Sequence, residues 1–126
     1  MDTCYLYDTA ENVYSSCGKL PRPRTRGCAS LVGDRVFLFG GYDDAHELVA
    51  AVDVYDIPSS SWYTMDENLP DPRSDLGCFA SGGGVVVAGG YNGDFQATAL
   101  AYRFTPDAQA LVKFQLDPVE SMHQKR

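Results

Sequence analysis

An all-β fold built from repeated four-stranded antiparallel sheets is predicted by three observations. Short segments rich in Val, Phe and Tyr end at Gly-Gly pairs, which is typical of strands followed by tight turns. The same residue types return after 49 residues along most of the chain. No stretch shows a convincing helical spacing of its apolar residues.

The repeat is visible as recurring groups of residues. The segment LPRPR at 20–24 returns as LPDPR at 69–73, and FGGY at 39–42 returns as AGGY at 88–91. A partial copy precedes them, because YDTAENVY at 7–14 corresponds to residues 55–62. Two aromatic or apolar anchors lie seven residues apart in each copy, namely Tyr7 and Tyr14, Tyr55 and Trp62, and Phe104 and Leu111. Such a period indicates a stack of similar units.

Each full repeat carries four strand signals in order. The first strand is predicted at 28–32 and at 78–80, and the second at 36–39 and 85–88, with hairpin turns at 33–34 and 82–84. The third lies within 49–56, and the fourth surrounds Trp62 after a turn at 58–60. Four-stranded sheets that repeat along a chain are typical of propeller blades. We expect the glycine pairs to adopt positive φ and to let adjacent blades approach closely.

Together, the LPRPR segment, the strand ending in FGGY, VYD at 54–56 and Trp62 resemble the Kelch repeat, which has a double Gly, a Tyr and a Trp at about these distances. The resemblance covers nearly all of residues 3–116. It implies an incomplete ring of Kelch-type β-propeller blades. The expected parts are the last two strands of a partial blade at 1–19, repeats at 20–68 and 69–116, and a polar tail at 117–126.

The third copy of the anchors departs from the family pattern. Phe104 stands for Tyr and Leu111 for Trp, and both changes keep apolar bulk. Two and a half blades leave apolar end faces, because repeat arrays need caps. The chain is therefore expected to be a fragment of a longer product. The alternative is that another chain covers its open faces, which includes self-association.

The resemblance implies protein–protein interaction, as an adaptor or scaffold, because partners of Kelch propellers bind at the rim loops. Exposed Tyr and Arg are favoured at interfaces. The alternative for each rim residue is an ordinary solvated loop position. Arg24 and Arg73 recur at the period and are predicted to be structural. The predicted partner-binding residues are Arg26, Tyr42, Asp43, Asp44, Asp75, Tyr91, Asn92 and Asp94.

Charge and hydropathy argue against several other classes of partner. The chain has 10 basic and 17 acidic residues, a net charge of −7, and no net basic segment. Nucleic acid and anionic membrane surfaces are therefore not expected as partners. No apolar run approaches the roughly 20 residues that cross a bilayer, and the start of the chain has no signal-peptide pattern. A cytoplasmic location is expected.

The four cysteines form no CxxC pair, so neither a zinc site nor a redox motif is indicated. Cys28 and Cys78 occupy equivalent places in their repeats. We favour small, free, buried strand residues over paired reactive thiols at these two positions.

Enzymatic activity is not expected, nor is a cofactor or a metal. No Ser-His-Asp set, phosphate-binding loop or metal-ligand spacing is present in the sequence. His46 beside Glu47 is a weak metal candidate, against an ordinary polar loop. The alternative function is a fragment of a catalytic Kelch propeller, such as a galactose-oxidase-like oxidoreductase, or of a carbohydrate-binding protein.

Overall fold

The computed structural model describes residues 3–8, 13–92, 96–97, 101–107 and 109–119. These residues form β-strands and connecting turns, and none of them lies in a helix. The strands are β1 (Thr3–Asp8), β2 (Val13–Lys19), β3 (Cys28–Val32), β4 (Arg35–Phe39), β5 (Asp53–Asp56), β6 (Ser61–Thr64), β7 (Gly77–Ser81), β8 (Gly84–Ala88), β9 (Ala101–Pro106) and β10 (Phe114–Val119).

The strands form three antiparallel sheets in which neighbours in sequence are neighbours in space. Strands β3 to β6 make one four-stranded sheet, the first blade, and β7 to β10 make another, the second blade. Strands β1 and β2 pair with each other as a two-stranded sheet. The predicted all-β fold with four-stranded propeller blades is confirmed. Strand β10 continues three residues beyond Leu116, where the second predicted repeat ends.

Two-residue hairpins connect the first two strands of each blade. Val32 pairs with Arg35 across residues 33–34. Ser81 pairs with Gly84, so the second turn is formed by residues 82–83 and the last glycine of that run already belongs to β8. These turns lie at one end of the sheets, and the Gly-Gly pairs that follow β4 and β8 lie at the other end.

The first glycine pair allows the backbones of the two blades to touch. Gly40 and Gly41 have φ values of +69° and +92°. A Cβ on Gly40 would lie 2.5 Å from the carbonyl oxygen of Arg73, which leads into the second blade. The amide of Gly41 donates a hydrogen bond to that same carbonyl at 2.7 Å. The expected close approach with positive φ is thereby confirmed.

The core lies mainly between the two blades and is centred on three phenylalanines. Phe37, Phe39 and Phe104 are fully buried. The Phe104 ring meets the other two edge-on, with centroid distances of 5.2 and 5.0 Å. Edge-to-face contacts of this kind add to the free energy gained from burying aromatic area. Alternating strand positions from both blades therefore build one shared core.

The predicted anchor Leu111 does not take the place of Trp62. Tyr55 pairs across the strands with Trp62 in the first blade, whereas Phe104 pairs with Leu116 in the second. Leu111 lies in the turn and is 41% exposed. The connection between β9 and β10 is longer than that between β5 and β6, so the partner of Phe104 is displaced along the chain. The Phe114 ring instead stacks on Phe104 at 4.6 Å.

The expectation of free, buried cysteines is wrong for Cys28 and Cys78. Both side chains are half-buried, and a disulfide bond joins them with their Cα atoms 6.2 Å apart. Strands β3 and β7 are in contact, so equivalent positions of neighbouring blades face each other. The repeat period placed the two cysteines at equivalent positions, but it carried no information on the distance between the blades.

Candidate interaction surface

The segment before the first strand of each blade pairs with the segment after its glycine pair. Thr25 and Tyr42 exchange two backbone hydrogen bonds of 2.9 and 2.8 Å. Ser74 and Tyr91, each 49 residues further on, exchange two of 3.0 and 2.9 Å. Because the strands are antiparallel, both pairs lie at the same end of the sheets. We call this end the rim. The rim presents Tyr42, which is half-buried, and Tyr91, which is exposed, at equivalent positions of the two blades.

Arg26 and Asp75 meet across the boundary between the blades. The amide of Asp75 donates to the carbonyl of Arg26 at 2.8 Å, and Arg26 Nη1 lies 3.6 Å from Asp75 Oδ2. Both residues have positive φ, +65° and +57°. Non-glycine residues rarely adopt this conformation, which costs of order 1–3 kcal/mol and is found most often at functional sites.

Two adjoining cavities open at the rim. One, of about 320 Å³, is lined by Thr25, Arg26, Tyr42 and His46. The other, of about 250 Å³, is lined by Arg26, Tyr42, Ser74, Asp75 and Tyr91. Small-molecule sites usually measure about 300–1,000 Å³ and enclose their ligand. These cavities are open to solvent and would not enclose a ligand, so they suit single side chains of a larger partner. Together their lining residues define the rim surface.

Asp43 and Asn92 organise the loops beside the rim. Asp43 Oδ1 accepts hydrogen bonds from the amides of Ala45 and Glu47 at 2.9 and 3.0 Å. Asn92 Oδ1 accepts one from the amide of Gln96 at 3.1 Å. Side-chain acceptors of this type commonly hold tight loops. These contacts give both predicted residues a role within their own loops.

The structure describes all but one of the remaining predicted residues. Asp44 is exposed on the loop that follows Tyr42. Asp94 lies outside the described residues. Arg26, Tyr42, Asp75 and Tyr91 come together around the two cavities.

Three lining residues were missed by the sequence reasoning. Thr25 and Ser74 carry hydroxyl groups one residue before Arg26 and Asp75, at the repeat period, and that recurrence was a usable signal. His46 was considered only as a metal candidate. It is exposed with a φ of +61°, and its ring lies edge-on to Tyr42 at 6.3 Å.

A buried ion cluster lies next to the rim and holds one of its segments in place. Arg24 donates to the Gly40 carbonyl at 2.9 Å and to Asp53 Oδ2 at 2.8 Å. Asp53 also accepts from Arg22 at 2.9 Å and from Thr64 at 2.7 Å. Arg24 and Asp53 are buried, which confirms the structural role predicted for Arg24. The contact with Gly40 fixes the segment that carries Tyr42.

The same contacts change the ionisation of Asp53. Burial alone would raise the pKa of Asp53, but the hydrogen bonds from Arg24, Thr64 and Arg22 outweigh it and hold the pKa below its ordinary value. Burial lowers the pKa of the Arg24 guanidinium. Arg24 stays charged, because arginine has a very high intrinsic pKa. The cluster is therefore a fully ionised, hydrogen-bonded network at neutral pH.

The described part of the chain contains neither a cluster of metal ligands nor a membrane-spanning helix. Within it, no three His, Cys, Asp or Glu side chains lie close enough together to hold a metal ion. The described residues also include no helix of the length and hydropathy that would span a membrane.

The repeated four-stranded blades with a shared rim define a protein of the propeller-repeat class. Residues 23–67 match the family model of the Kelch motif. The chain is 31% identical over 88 residues to alpha-scruin of Limulus polyphemus, which covers 70% of this chain. It is 30% identical over 95 residues to human Kelch-like protein 38, covering 72% of this chain. An F-box/kelch-repeat protein of Arabidopsis thaliana is 35% identical over 88 residues, covering 68%. The chain belongs to the Kelch repeat family.

The matches cover only a small part of each relative. They span 10% of alpha-scruin, 16% of human Kelch-like protein 38 and 23% of the Arabidopsis protein. The similarity therefore concerns the repeats and not the whole architecture of those proteins.

Proposed function

We propose that this chain is a protein–protein interaction module that binds a partner protein through the rim surface. The observation that carries the proposal is the convergence of Arg26, Tyr42, Asp75 and Tyr91 from two neighbouring blades around two open cavities. Tyrosine and arginine are, together with tryptophan, the side chains most enriched at the energetic centres of interfaces. A surface assembled from two blades suits a partner that contacts several loops at once.

The conformational strain at the rim supports this proposal. Arg26, His46 and Asp75 are three of the four non-glycine residues with positive φ in the described chain, and all three line the cavities. The fourth, Ser60, lies in the turn before β6. Strain of this kind persists where the surrounding structure holds a side chain in a particular direction. We infer that the rim is organised to present these side chains.

An adaptor or scaffold role follows from the same proposal. Several relatives are named as Kelch-like or F-box/kelch-repeat proteins, and the matched repeats form only part of their longer chains. We propose that this chain likewise supplies the recognition part and that it is not an enzyme. Its net charge of −7 supports a protein partner over nucleic acid or an anionic membrane.

Self-association through open blade faces is a second part of the proposal. Phe79 on β7 is 58% exposed and Val119 on β10 is 40% exposed. In a repeat array such side chains are normally covered by the next unit. Light scattering after size exclusion tests this proposal. A stable monomeric mass across the micromolar range would contradict it.

A cytoplasmic location remains a prediction, and the Cys28–Cys78 disulfide argues against it. Disulfides persist in oxidising compartments and are rare in the cytosol. Alkylation of the protein directly in its native cells, followed by mass spectrometry, decides between the cytoplasm and an oxidising compartment. Alkylated Cys28 and Cys78 would support the cytoplasm, and an intact disulfide peptide would contradict it.

Site-specific photo-cross-linking tests the interaction function. The photoreactive residue p-benzoylphenylalanine replaces Tyr91 at the rim in one variant. In the matched control it replaces Ile57, which is 37% exposed and lies at the opposite end, where its amide bonds the Asp34 carbonyl at 3.0 Å. We expect a discrete protein adduct at position 91 only. Equal adducts at both positions, or one at position 57 alone, would contradict the rim as the binding surface.

A further inference from the structure

The charges around the rim are unbalanced in favour of carboxylates. Arg26 is accompanied by Asp75 in the same cavity and by Asp43, Asp44 and Glu47 on the adjoining loop. The chain as a whole is also acidic, with a net charge of −7. A potential of this sign attracts positively charged partners and repels acidic ones.

The carboxylate of Asp75 is held in place but lacks a close cationic partner. Ser74 Oγ donates to Asp75 Oδ2 at 2.9 Å, and the backbone of Asp75 is fixed by its bond to the Arg26 carbonyl. Arg26 Nη1 stays 3.6 Å away, and its side chain is 65% exposed. Strong charge-assisted hydrogen bonds measure about 2.7–2.9 Å. An incoming cation at that distance would interact with Asp75 better than Arg26 does.

The walls beside Asp75 suit a cation as well. Tyr42 and Tyr91 line the same cavity of about 250 Å³. Aromatic faces attract ammonium and guanidinium groups within about 6 Å of the ring centroid. The cavity thus combines one carboxylate with two aromatic side chains, one from each blade.

We propose that the rim recognises a basic segment of its partner protein, in which one arginine or lysine side chain enters the cavity between Tyr42 and Tyr91 and binds Asp75. Arg26 then turns outward to solvent and leaves the carboxylate to the incoming cation. This inference rests on the proposed interaction function and adds the chemistry of the partner. An acidic segment bound by Arg26 is the competing occupant, and it is disfavoured because Asp75 lies 3.6 Å from that guanidinium and three further carboxylates lie on the adjoining loop.

NMR titration of the ¹⁵N-labelled full chain tests the proposal with defined probes. The probes are the tripeptides acetyl-Gly-Arg-Gly-amide, acetyl-Gly-Gln-Gly-amide and acetyl-Gly-Glu-Gly-amide, with the disulfide kept oxidised. We expect the arginine probe to shift the amide signals of Tyr42, Asp75 and Tyr91 saturably, and the other two probes to shift them weakly and without saturation. The tripeptides supply a single side chain, so the binding is expected in the millimolar range typical of weak contacts.

Two matched variants identify the responsible carboxylate. Asp75→Asn keeps the side-chain shape and tolerates positive φ, because asparagine populates that region readily. Asp34→Asn removes the same charge from the exposed turn at the opposite end. We expect Asp75→Asn to weaken binding of the arginine probe about fivefold, the upper value for an exposed ion pair. Asp34→Asn should leave the affinity unchanged.

Three outcomes would overturn the proposal. They are saturable shifts at the rim with the glutamate probe alone, equal binding of the arginine probe to wild type and Asp75→Asn, and no saturable shift at the rim with the arginine probe. Each of these outcomes can be told apart from a failure of the proposed interaction function. An adduct at position 91 in the cross-linking experiment would leave that function standing while the basic partner was rejected.

Discussion

The two blades share their strand order but neutralise the arginine beneath the rim in different ways. In the first blade Arg24 donates to the Gly40 carbonyl at 2.9 Å, and in the second Arg73 donates to the Gly89 carbonyl at 3.0 Å. The shared element is thus a hydrogen bond from a buried guanidinium to the first glycine of the pair. It positions the backbone that carries the rim tyrosine.

The charge partners of these arginines are not shared. Asp53 on β5 accepts from Arg24 at 2.8 Å and is fully buried. Its counterpart in the second blade is Tyr102, whose ring lies under the Arg73 guanidinium at 5.2 Å. Asp71 adds an ion pair with Arg73 at 3.3 Å. The comparison shows that the repeat retains the hydrogen bond from the arginine to the glycine carbonyl. The positive charge of the buried arginine is balanced differently in each blade, by a buried carboxylate in the first and by an aromatic ring and a partly exposed carboxylate in the second.

The largest expected effect comes from removing the buried carboxylate of the first blade. Asp53→Asn leaves Arg24 without its counter-ion in a buried site, which typically costs about 3–5 kcal/mol of unfolding free energy. Asp71→Asn is the matched change in the second blade. Because Asp71 is partly exposed and Arg73 keeps Tyr102 and the Gly89 carbonyl, we expect a smaller cost of about 1–2 kcal/mol. Urea denaturation followed by circular dichroism measures both, and equal losses would refute the difference between the blades.

The disulfide between the blades is expected to have the next largest effect. Cys28 and Cys78 are 50 residues apart in sequence, and closing a loop of that length stabilises the folded state by about 2–4 kcal/mol. Reduction with a dithiol should therefore lower the melting temperature. The Cys28→Ser/Cys78→Ser variant should melt below the oxidised wild type, and reductant should lower its melting temperature less than that of wild type, because only the disulfide bond of Cys17 remains to be reduced. An unchanged melting temperature on full reduction, verified by thiol titration, would count against a stabilising bond.

A smaller effect distinguishes the two apolar candidates in the second blade. Phe114 is half-buried and stacks on Phe104 at 4.6 Å, so Phe114→Ala should cost about 2 kcal/mol, less than full core truncation. Leu111 is 41% exposed, and Leu111→Ala should cost about 0.5 kcal/mol or less. Chemical denaturation of the two variants side by side measures the difference. A larger loss for Leu111→Ala would restore that residue as the anchor.

The pH dependence of stability is the last property expected to separate the blades. The pKa of Asp53 is lower in the folded state than the unfolded value of about 3.9. Its contribution is therefore complete above the unfolded pKa and is lost as the pH falls through the folded pKa. Urea midpoints between pH 2 and pH 7 should fall at the acid end for wild type and for Asp71→Asn. A similarly steep acid fall in Asp53→Asn would assign the effect to other carboxylates.

Much of the fold was accessible from local signals in the sequence. The apolar runs that end at glycine pairs located β4 and β8, since their length and β-branched or aromatic composition favour strands. The 49-residue period located the equivalent residues of the two blades. The recurrence of Arg24 and Arg73 marked them as structural, and their burial agrees with that interpretation.

Leu111, the wrongly predicted anchor, shows what those local signals could not predict. Leu111 stood at the right distance along the chain, but a longer connection moved the partner of Phe104 to Leu116. A strand's register depends on the geometry of its turn, and an insertion shifts it without changing the composition nearby. The period alone was therefore insufficient to pair β9 with β10.

The rim was also only partly predictable from the sequence. Arg26, Asp75 and the two tyrosines were selected because rim loops of similar propellers bind partners. Their left-handed backbone, their mutual contact and the cavities they share depend on how closely the two blades pack. Asp43 was selected on the same ground, yet its carboxylate accepts hydrogen bonds from two amides of its own loop. Residue type and position did not reveal that local contact.

The sequence by itself determined the strand order, the glycine turns and the repeat that makes the two blades alike. These features are local, because steric limits on φ and alternating burial act over a few neighbouring residues. Only the tertiary structure decided that Cys28 bonds Cys78, that Arg26 meets Asp75, and that Asp53 neutralises Arg24. Each of these contacts joins residues that are 29 to 50 positions apart. They form because packing of the shared phenylalanine core brings the sheets and their entry segments to one distance and one orientation.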